Sequence, residues 1–285
     1  MSLLESLLLG LVQGVFMFVP VSSTSHLVLT QHWMASAGSQ LPPPESPEMV
    51  LFDLVVHVGT LVSIVVVMRG GLRELLGGVV DDVRTGRLRA GGLRLATSTR
   101  LVGLMLLATA VTGVLGLLGR DLVTTAVFSS PVAVAVALVA TGGMLWWTDH
   151  LGPGRIGPAQ VTVWIAVAVG VAQAVALTPG ISRSGTTIFV ALLLGMYRPL
   201  AARFSFYVAI PTILGGAGLQ ALEVLGEGEL TIGWAPMALA FVVSAVVGAA
   251  ALWLVLRLLE QARFRIFSVY VWVLAAVVLL AGVGA

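Results

Sequence analysis

The sequence contains no cysteine and no lysine, and charged residues make up only 10% of it. The absence of cysteine excludes disulfide bonds, thiolate metal sites and cysteine nucleophiles. The absence of lysine makes arginine the basic residue throughout the chain, apart from histidine. Hydrophobic residues, by contrast, make up 58% of the chain. This balance lies far outside the range of soluble globular domains, so we expect lipid to be the main solvent of the protein.

Several apolar runs approach the ~20 residues that an α-helix needs to cross the ~30 Å hydrocarbon core of a bilayer. We predict spanning helices at Leu101–Leu118, Pro131–Trp147, Val161–Leu177, Met237–Leu256 and Ile266–Ala285. The first ten residues contain no basic residue, whereas a secretory signal peptide normally begins with a basic stretch. We therefore expect the first helix to stay in the mature protein.

Arginines are concentrated in one hydrophilic connector between apolar runs. They are Arg69, Arg73, Arg84, Arg87, Arg89, Arg94 and Arg100. Because arginine-rich connectors stay on the cytoplasmic side of a membrane, we expect this one to lie inside the cell. Two interpretations remain open: a solvated connector that only sets the topology, or a site for lipid headgroups.

The chain contains an internal repeat. The segment GLVQGVFMFVPVSSTS, from Gly10, aligns without a gap with GVAQAVALTPGISRSG, from Gly170, at an offset of 160 residues. A second pair follows in the same order, FDLVVHVGT from Phe52 and FSFYVAIPT from Phe204. Two matches in one order favour an ancestral duplication. We predict a single membrane domain over residues 1–285, with one repeat at about 1–120 and the other at about 121–285.

Both repeats contain a break rich in hydroxyl groups. Pro20 precedes the first break, and Pro179 with Gly180 precedes the second. Non-helical backbone at membrane depth is tolerated only where protein or a wet cavity covers it. Duplicated halves of membrane proteins are often inverted, with a site built from such broken helices. We therefore predict an all-α polytopic membrane protein, an inverted internal repeat and two re-entrant helix pairs whose tips meet.

The second break, PGISRSGTT, places Arg183 among Ser182, Ser184, Gly185 and Thr186. An arginine within a membrane is costly and needs a partner, and no acidic residue lies nearby in the sequence. A phosphate suits best, because a guanidinium binds it in a bidentate manner and the N–H groups of the following helix add donors. The alternative is an arginine at a helix end that only sets the topology.

The first break, PVSSTSH, offers the hydroxyl groups of Ser22, Ser23, Thr24 and Ser25 and the imidazole of His26. Ser23 and His26 are three residues apart, so at a helix start they could lie on one face as a nucleophile beside a base. A serine-rich helix cap followed by a buried histidine is the alternative.

Further ionisable residues interrupt the apolar runs. Asp53 and His57, four residues apart, share one face of a helix and could hold a divalent cation, orient His26 or form a buried ion pair. Arg198, in GMYRPL, could contact a phosphate or anchor the chain at the interface, and the anchor is favoured. The sequence alone leaves these alternatives open.

The segments PVSSTSH, PGISRSGTT, FDLVVHVGT and RFSFYVAIP resemble the undecaprenyl-diphosphate phosphatase family, the bacitracin-resistance type of membrane phosphatase. The resemblance extends over nearly the whole chain. It implies a multi-pass enzyme of the bacterial inner membrane that removes one phosphate from a C55 isoprenyl diphosphate and so recycles the lipid carrier for peptidoglycan precursors. It implies partners among membrane lipids and no nucleic acid, and leaves a homodimer open.

Residue roles follow from the same resemblance. Ser23 corresponds to the nucleophile, His26 to the base or acid and Arg183 to the main diphosphate clamp, and a divalent cation, Mg or Ca, is left open as a cofactor. The implied substrate-binding residues are Gln13, Ser22, Thr24, Ser182, Ser184, Gly185, Thr186 and Arg198. Supporting residues would be Met17, Asp53, His57 and Gln173.

One position departs from the family pattern. The family has two acidic residues four apart in the first loop, the first sometimes Gln, and this chain has Gln13 and Met17 there. A thioether neither binds a hard cation nor moves a proton. Three readings stay open: an engineered substitution, a natural enzyme in which Asp53 supplies the carboxylate, or a protein that binds polyprenyl phosphates without cleaving them. The last reading fits a transporter or flippase, the alternative function.

Overall fold

The structure is a computed structural model, and it describes residues 1–39, 41–43, 46–86, 97–126, 131–224 and 233–281. These residues form eleven α-helices and one short 3-10 helix at Pro158–Gln160. The α-helices are α1 (Leu3–Phe16), α2 (Ser23–Ser36), α3 (Pro47–Val67), α4 (Arg69–Arg84), α5 (Thr97–Ala126), α6 (Pro131–Thr148), α7 (Val163–Val175), α8 (Arg183–Leu193), α9 (Arg198–Val224), α10 (Trp234–Glu260) and α11 (Arg265–Ala281). The all-α prediction is confirmed for this part of the chain.

Within the described part of the chain, four helical segments are long and apolar enough to cross a membrane. They are Pro47–Val67, Thr97–Gly119, Arg198–Leu222 and Trp234–Glu260. The predicted spans at 101–118 and 237–256 fall within two of them. The other two were missed because Asp53 and His57 interrupt the first and Arg203 interrupts the second, and the prediction required uninterrupted runs.

Three predicted spans lie on shorter helices. Helix α7 has 13 residues, which at 1.5 Å per residue is about 20 Å and too short for a ~30 Å hydrocarbon core. The prediction of a complete span at 161–177 is therefore wrong, because the apolar run continues past the end of the helix at Val175. Helices α6, with 18 residues, and α11, with 17, are near the lower limit for a span.

The chain divides into two compact units. The first consists of Met1–Val67 and Ile210–Val255, and the second of Met68–Ala209 and Leu256–Ala285. The core of the first unit is a cluster from α1, α2, α3 and α10: Leu9, Leu27, Met34, Met49, Phe52, Val56, Met237 and Ala240. The two units are defined by packing, whereas the two repeats are defined by common ancestry. The repeat boundary near residue 120 therefore stays a prediction.

Each unit contains a close approach of two helices at a glycine. A Cβ added to Gly10 of α1 would lie 2.9 Å from the carbonyl oxygen of Ala240 in α10. A Cβ added to Gly170 of α7 would lie 2.6 Å from the carbonyl oxygen of Ala108 in α5. The two glycines are equivalent in the aligned segments, and helices in membranes commonly approach each other at such small residues.

The arginine-rich stretch is not a simple connector. Its first half forms helix α4, while Arg87, Arg89 and Arg94 lie outside the described residues. The end of α4 is fixed by Asp82, which is buried and accepts hydrogen bonds from the backbone N–H of Thr99 (3.2 Å) and from its hydroxyl group (3.0 Å). The helix is thus held at the start of α5.

Gly170→Ala should destabilise the protein. The added methyl group would meet the backbone of α5, which cannot move aside cheaply, and such overpacking typically costs about 1–3 kcal/mol. Thermal unfolding of the purified protein in detergent is the measurement. Gly103→Ala is the matched control, because Gly103 is exposed on α5 with nothing within 4 Å of an added Cβ. Equal midpoints for both variants would contradict the packing argument.

Candidate active site

The serine loop, residues 17–22, connects α1 to α2 in the first unit. Ser22, the residue before α2, has φ of 70°, a left-handed conformation that non-glycine residues adopt only when neighbouring structure requires it. Its hydroxyl group lies 3.0 Å from that of Ser25 and is buried with it. The loop is therefore held in a defined shape, and the side chain of Thr24 lies outside the described part.

His26 is buried and held from two sides. Its Nδ1 lies 2.8 Å from the carbonyl oxygen of Ser22, and its ring stacks on Phe16 with centroids 3.9 Å apart. A carbonyl oxygen can only accept, so Nδ1 carries the proton in the neutral ring and Nε2 carries the lone pair. This tautomer suits a base acting through Nε2. The pairing of His26 with the half-buried Ser23 stays a prediction.

Gln13 and Met17 are in contact across one helical turn. The amide Nε2 of Gln13 donates to Sδ of Met17 at 3.6 Å, and both side chains are buried. A thioether is a weak acceptor, so an amide donor faces a position where a carboxylate oxygen would be a far stronger partner. Position 17, where the chain departs from the family pattern, therefore has a polar amide group beside it.

Asp53 and His57 share a face of α3, as predicted from their spacing. Nδ1 of His57 bonds to the backbone carbonyl oxygen of Asp53 at 2.7 Å. One carboxylate oxygen of Asp53 is buried and has no hydrogen-bond partner among the described residues. Such a group is costly in an apolar setting, which favours a functional role over a purely structural one.

The arginine loop, which comprises residues 176–182 together with Arg183 at the start of α8, connects α7 to α8 in the second unit. Gly180 has φ of 89°, and a Cβ there would lie 2.6 Å from the carbonyl oxygen of Val134, so only glycine fits. Ser182 caps α8, since its hydroxyl group accepts from the N–H of Gly185 at 3.2 Å. Arg183 is the first residue of α8. The cap therefore places a cationic side chain beside a helix N-terminus.

Thr141 of α6 fixes this loop and was missed by the sequence analysis. Its hydroxyl group donates to the carbonyl oxygen of Gly180 at 2.8 Å and accepts from the N–H of Ser182 at 3.1 Å. Thr141 is completely buried. It lies within the apolar run 131–147, where nothing in the local pattern distinguishes it from a residue that merely packs.

The first turn of α8 is lined with hydroxyl groups. Ser184 and Thr186 are buried, and the Thr186 hydroxyl group has no hydrogen-bond partner among the described residues. The hydroxyl group of Thr187 lies 2.8 Å from the carbonyl oxygen of Arg183 and 2.6 Å from the hydroxyl group of Ser205 on α9. Ser205 is a second residue that the sequence analysis missed, because it reads as part of an aromatic apolar segment.

Gln173 lies on α7 and is hydrogen-bonded to α5. Its Nε2 donates to the hydroxyl group of Thr112 in α5 at 3.1 Å, and that hydroxyl group also lies 3.0 Å from the carbonyl oxygen of Gly170. Gln173 thereby ties the helix before the arginine loop to α5. This contact supports a positioning role for Gln173.

Arg198 lies at the C-terminus of α6. Its Nη2 donates to the carbonyl oxygens of Thr148 (3.1 Å) and Leu151 (2.8 Å). A cation at this end of a helix satisfies carbonyl groups that have no partner within the helix. The contacts favour the anchor interpretation, and a phosphate contact of Arg198 stays a prediction.

The described residues include no group of three His, Asp or Glu side chains that could hold a metal ion. They do not fit a cation site made by protein ligands alone. What the second unit offers is a guanidinium group, a helix N-terminus and buried hydroxyl groups, which together suit a phosphate. The first unit offers a serine-rich loop with an oriented imidazole.

Long apolar helices, with two serine-rich breaks between shorter ones, define a multi-pass membrane protein. The profile of the family described as BacA, bacitracin resistance protein BacA, matches residues 6–277. The chain belongs to this family, which confirms the family assignment expected from the two loops.

Named relatives agree with this assignment. The chain is 48% identical over 280 residues to an undecaprenyl-diphosphatase of Alkalilimnicola ehrlichii, covering 96% of this chain and 95% of that protein. It is 46% identical over 285 residues to an undecaprenyl-diphosphatase of Halorhodospira halophila, covering 98% of each. An undecaprenyl-diphosphatase 2 of Stutzerimonas stutzeri is 35% identical over 284 residues, again covering 98% of each.

Thr141→Val should destabilise the second unit. The change removes the hydrogen bonds that Thr141 makes to the N–H of Ser182 and to the C=O of Gly180 inside the protein, and the loss of a buried hydrogen-bond partner costs about 1–3 kcal/mol. Thr141→Ser, which keeps the hydroxyl group, is the control and should unfold close to the wild-type temperature. A wild-type midpoint for Thr141→Val in a thermal scan would show that the loop does not depend on this contact.

Proposed function

We propose that the protein is an undecaprenyl-diphosphatase that hydrolyses an isoprenyl diphosphate to the monophosphate and phosphate. The supporting observation is the arginine loop, where Arg183, the capped N-terminus of α8 and buried hydroxyl groups form a site suited to a phosphate. The names of the full-length relatives give the substrate class. The apolar helices that carry the site fit a substrate with a long isoprenyl tail.

In the proposed reaction, Arg183 binds the diphosphate and stabilises the charge that develops on its oxygens. The Ser23 oxygen attacks the terminal phosphorus while His26 accepts the serine proton. The bond to the bridging oxygen breaks, the isoprenyl monophosphate leaves, and water then releases phosphate from the serine. Direct attack by water, with His26 as the base, uses the same residues and is equally compatible.

We propose an inverted repeat with two re-entrant helix pairs, α1 with α2 and α7 with α8. The lengths of these helices, between 11 and 14 residues, support this, because none reaches the ~20 residues of a complete span. After the two breaks, α2 begins at Ser23 and α8 begins at Arg183. The 160-residue offset of the repeat aligns these two positions. The bacterial inner membrane is the proposed location, with the substrate entering from the outer face.

A requirement for Mg or Ca is a separate proposal. Magnesium commonly binds through one or two protein groups together with the phosphates of a substrate. Asp53, with its buried and unpartnered carboxylate oxygen, is the candidate protein ligand. Transport without hydrolysis is not favoured, because the relatives named above are diphosphatases.

Ser23→Ala should abolish phosphate release, and Arg183→Ala should lower it by at least ~10²-fold. The measurement is phosphate release from a C15 or C55 isoprenyl diphosphate by purified protein. The controls are Ser36→Ala and Arg155→Ala, which change exposed residues of the same types. Full turnover in Ser23→Ala would leave direct attack by water as the mechanism, and full turnover in Arg183→Ala would remove the proposed clamp.

Met17→Glu should raise phosphate release in the presence of a divalent cation. A positioned acid–base group typically contributes ~10²–10⁴-fold to the rate, and the Gln13 amide is placed to bond to the new carboxylate. The same assay, with and without Mg or Ca, is the measurement.

The variant Asp53→Asn tests whether Asp53 supplies the carboxylate that is missing at position 17, or whether the protein binds the lipid without cleaving it. Loss of the residual activity would identify Asp53 as the carboxylate that serves in this chain, with the exposed Asp81→Asn as control. If neither the wild type nor Met17→Glu releases phosphate while the lipid still binds, the proposed hydrolysis is wrong and transport becomes the better explanation.

A further inference from the structure

Helix α4 is an amphipathic helix next to membrane-spanning segments, and it is not itself among them. It begins at Arg69, directly after the span that ends at Val67. Its last turn is bonded through Asp82 to Thr99, in the first turn of the span 97–119. Both ends of α4 are therefore tied to ends of spans, which is where the surface of a bilayer lies.

One face of α4 is apolar and exposed. The inward face, with Leu72, Val79 and the buried Asp82, is partly covered within the second unit. Leu76, Val80 and Val83, by contrast, are 59%, 45% and 59% exposed. They are spaced four and three residues apart, so they form one stripe along the helix.

The charges of α4 are distributed unevenly around this stripe. With 3.6 residues per turn, the exposed residues Arg69, Arg73 and Arg84 project within about 40° of Val80. The exposed acids Glu74 and Asp81 project about 100–120° away. An apolar stripe with arginines on the same side of the helix, and with the acids turned away, is the pattern of a helix that lies in the interface of an anionic membrane.

We propose that α4 lies on the surface of an anionic bilayer, with Leu76, Val80 and Val83 in the boundary between headgroups and acyl chains. The three arginines bind lipid phosphate groups, and Asp82 holds the helix to α5 on its other side. This proposal extends beyond the phosphatase activity and does not depend on it. The sequence left two interpretations of the arginine-rich stretch open, and the proposal adopts the site for lipid headgroups.

A bilayer fits this face better than a second copy of the chain. The stripe is narrow and lies beside three cations, so a symmetric contact between two copies would bring six arginines together. An anionic surface accommodates those charges, and each arginine near it strengthens the association about fivefold. Lipid is also the solvent that contacts the adjoining spans.

The absence of cysteine allows a direct test with single labels. A polarity-sensitive fluorophore is attached to Val80→Cys or, as control, to Asp81→Cys, its exposed neighbour on the other flank. Each protein is reconstituted, as the full chain, in vesicles of phosphatidylcholine with phosphatidylglycerol. Fluorescence is then quenched either by iodide in the water or by a lipid that carries a nitroxide near its headgroup.

We expect the lipid nitroxide to quench the label at position 80 and iodide to quench the label at position 81. Replacing Arg69, Arg73 and Arg84 by Gln, or omitting phosphatidylglycerol, should shift the label at position 80 towards quenching by iodide. Iodide quenching at both positions of the original chain would overturn the proposal. So would protection from iodide that is independent of anionic lipid and of the arginines, since a protein partner would then cover the face. Unchanged thermal unfolding of the glutamine variant would exclude a folding defect as the cause of the shift.

Discussion

Backbone N–H and C=O groups that leave a helix inside a membrane have no water to bond, so every break in a spanning structure requires a partner from the protein. In the re-entrant arrangement proposed above, Thr141 meets this requirement for the arginine loop, because it bonds to both Gly180 and Ser182. Because the break is satisfied in this way, α8 can begin with a capped and fixed N-terminus. The proposed phosphate site at Arg183 depends on that satisfied break.

The serine loop meets the same requirement differently. Ser22 takes a left-handed conformation, and its carbonyl oxygen accepts a hydrogen bond from the imidazole of His26. One contact therefore both satisfies the backbone and sets the tautomer of the histidine. A strained residue that persists because its surroundings hold it is typical of functional sites, and this loop has the oriented base that nucleophilic catalysis needs.

Glycines that allow two helices to pack closely occur in both units, and they connect helix packing with the site. Gly10 and Gly170 allow α1 and α7 to approach α10 and α5, and α1 and α7 are the helices that lead into the two loops. Gln173, held by Thr112 one turn before the arginine loop, adds a polar contact to the second approach. Tight packing of the preceding helix thus limits how far each loop can move.

The sequence by itself determined the membrane environment, the helical class and the two breaks, and it predicted a phosphate site at Arg183. These properties depend on composition, on run length and on residues that are neighbours in the chain. Only the tertiary structure decided that Thr141 fixes a loop 39 residues away from it, that Arg198 bonds to carbonyl groups at and just beyond the end of α6, and that Arg69–Arg84 is a helix with an exposed apolar stripe. A hydroxyl group within an apolar run has no local pattern that reveals its partner, because its partner is chosen by the packing of helices distant in sequence.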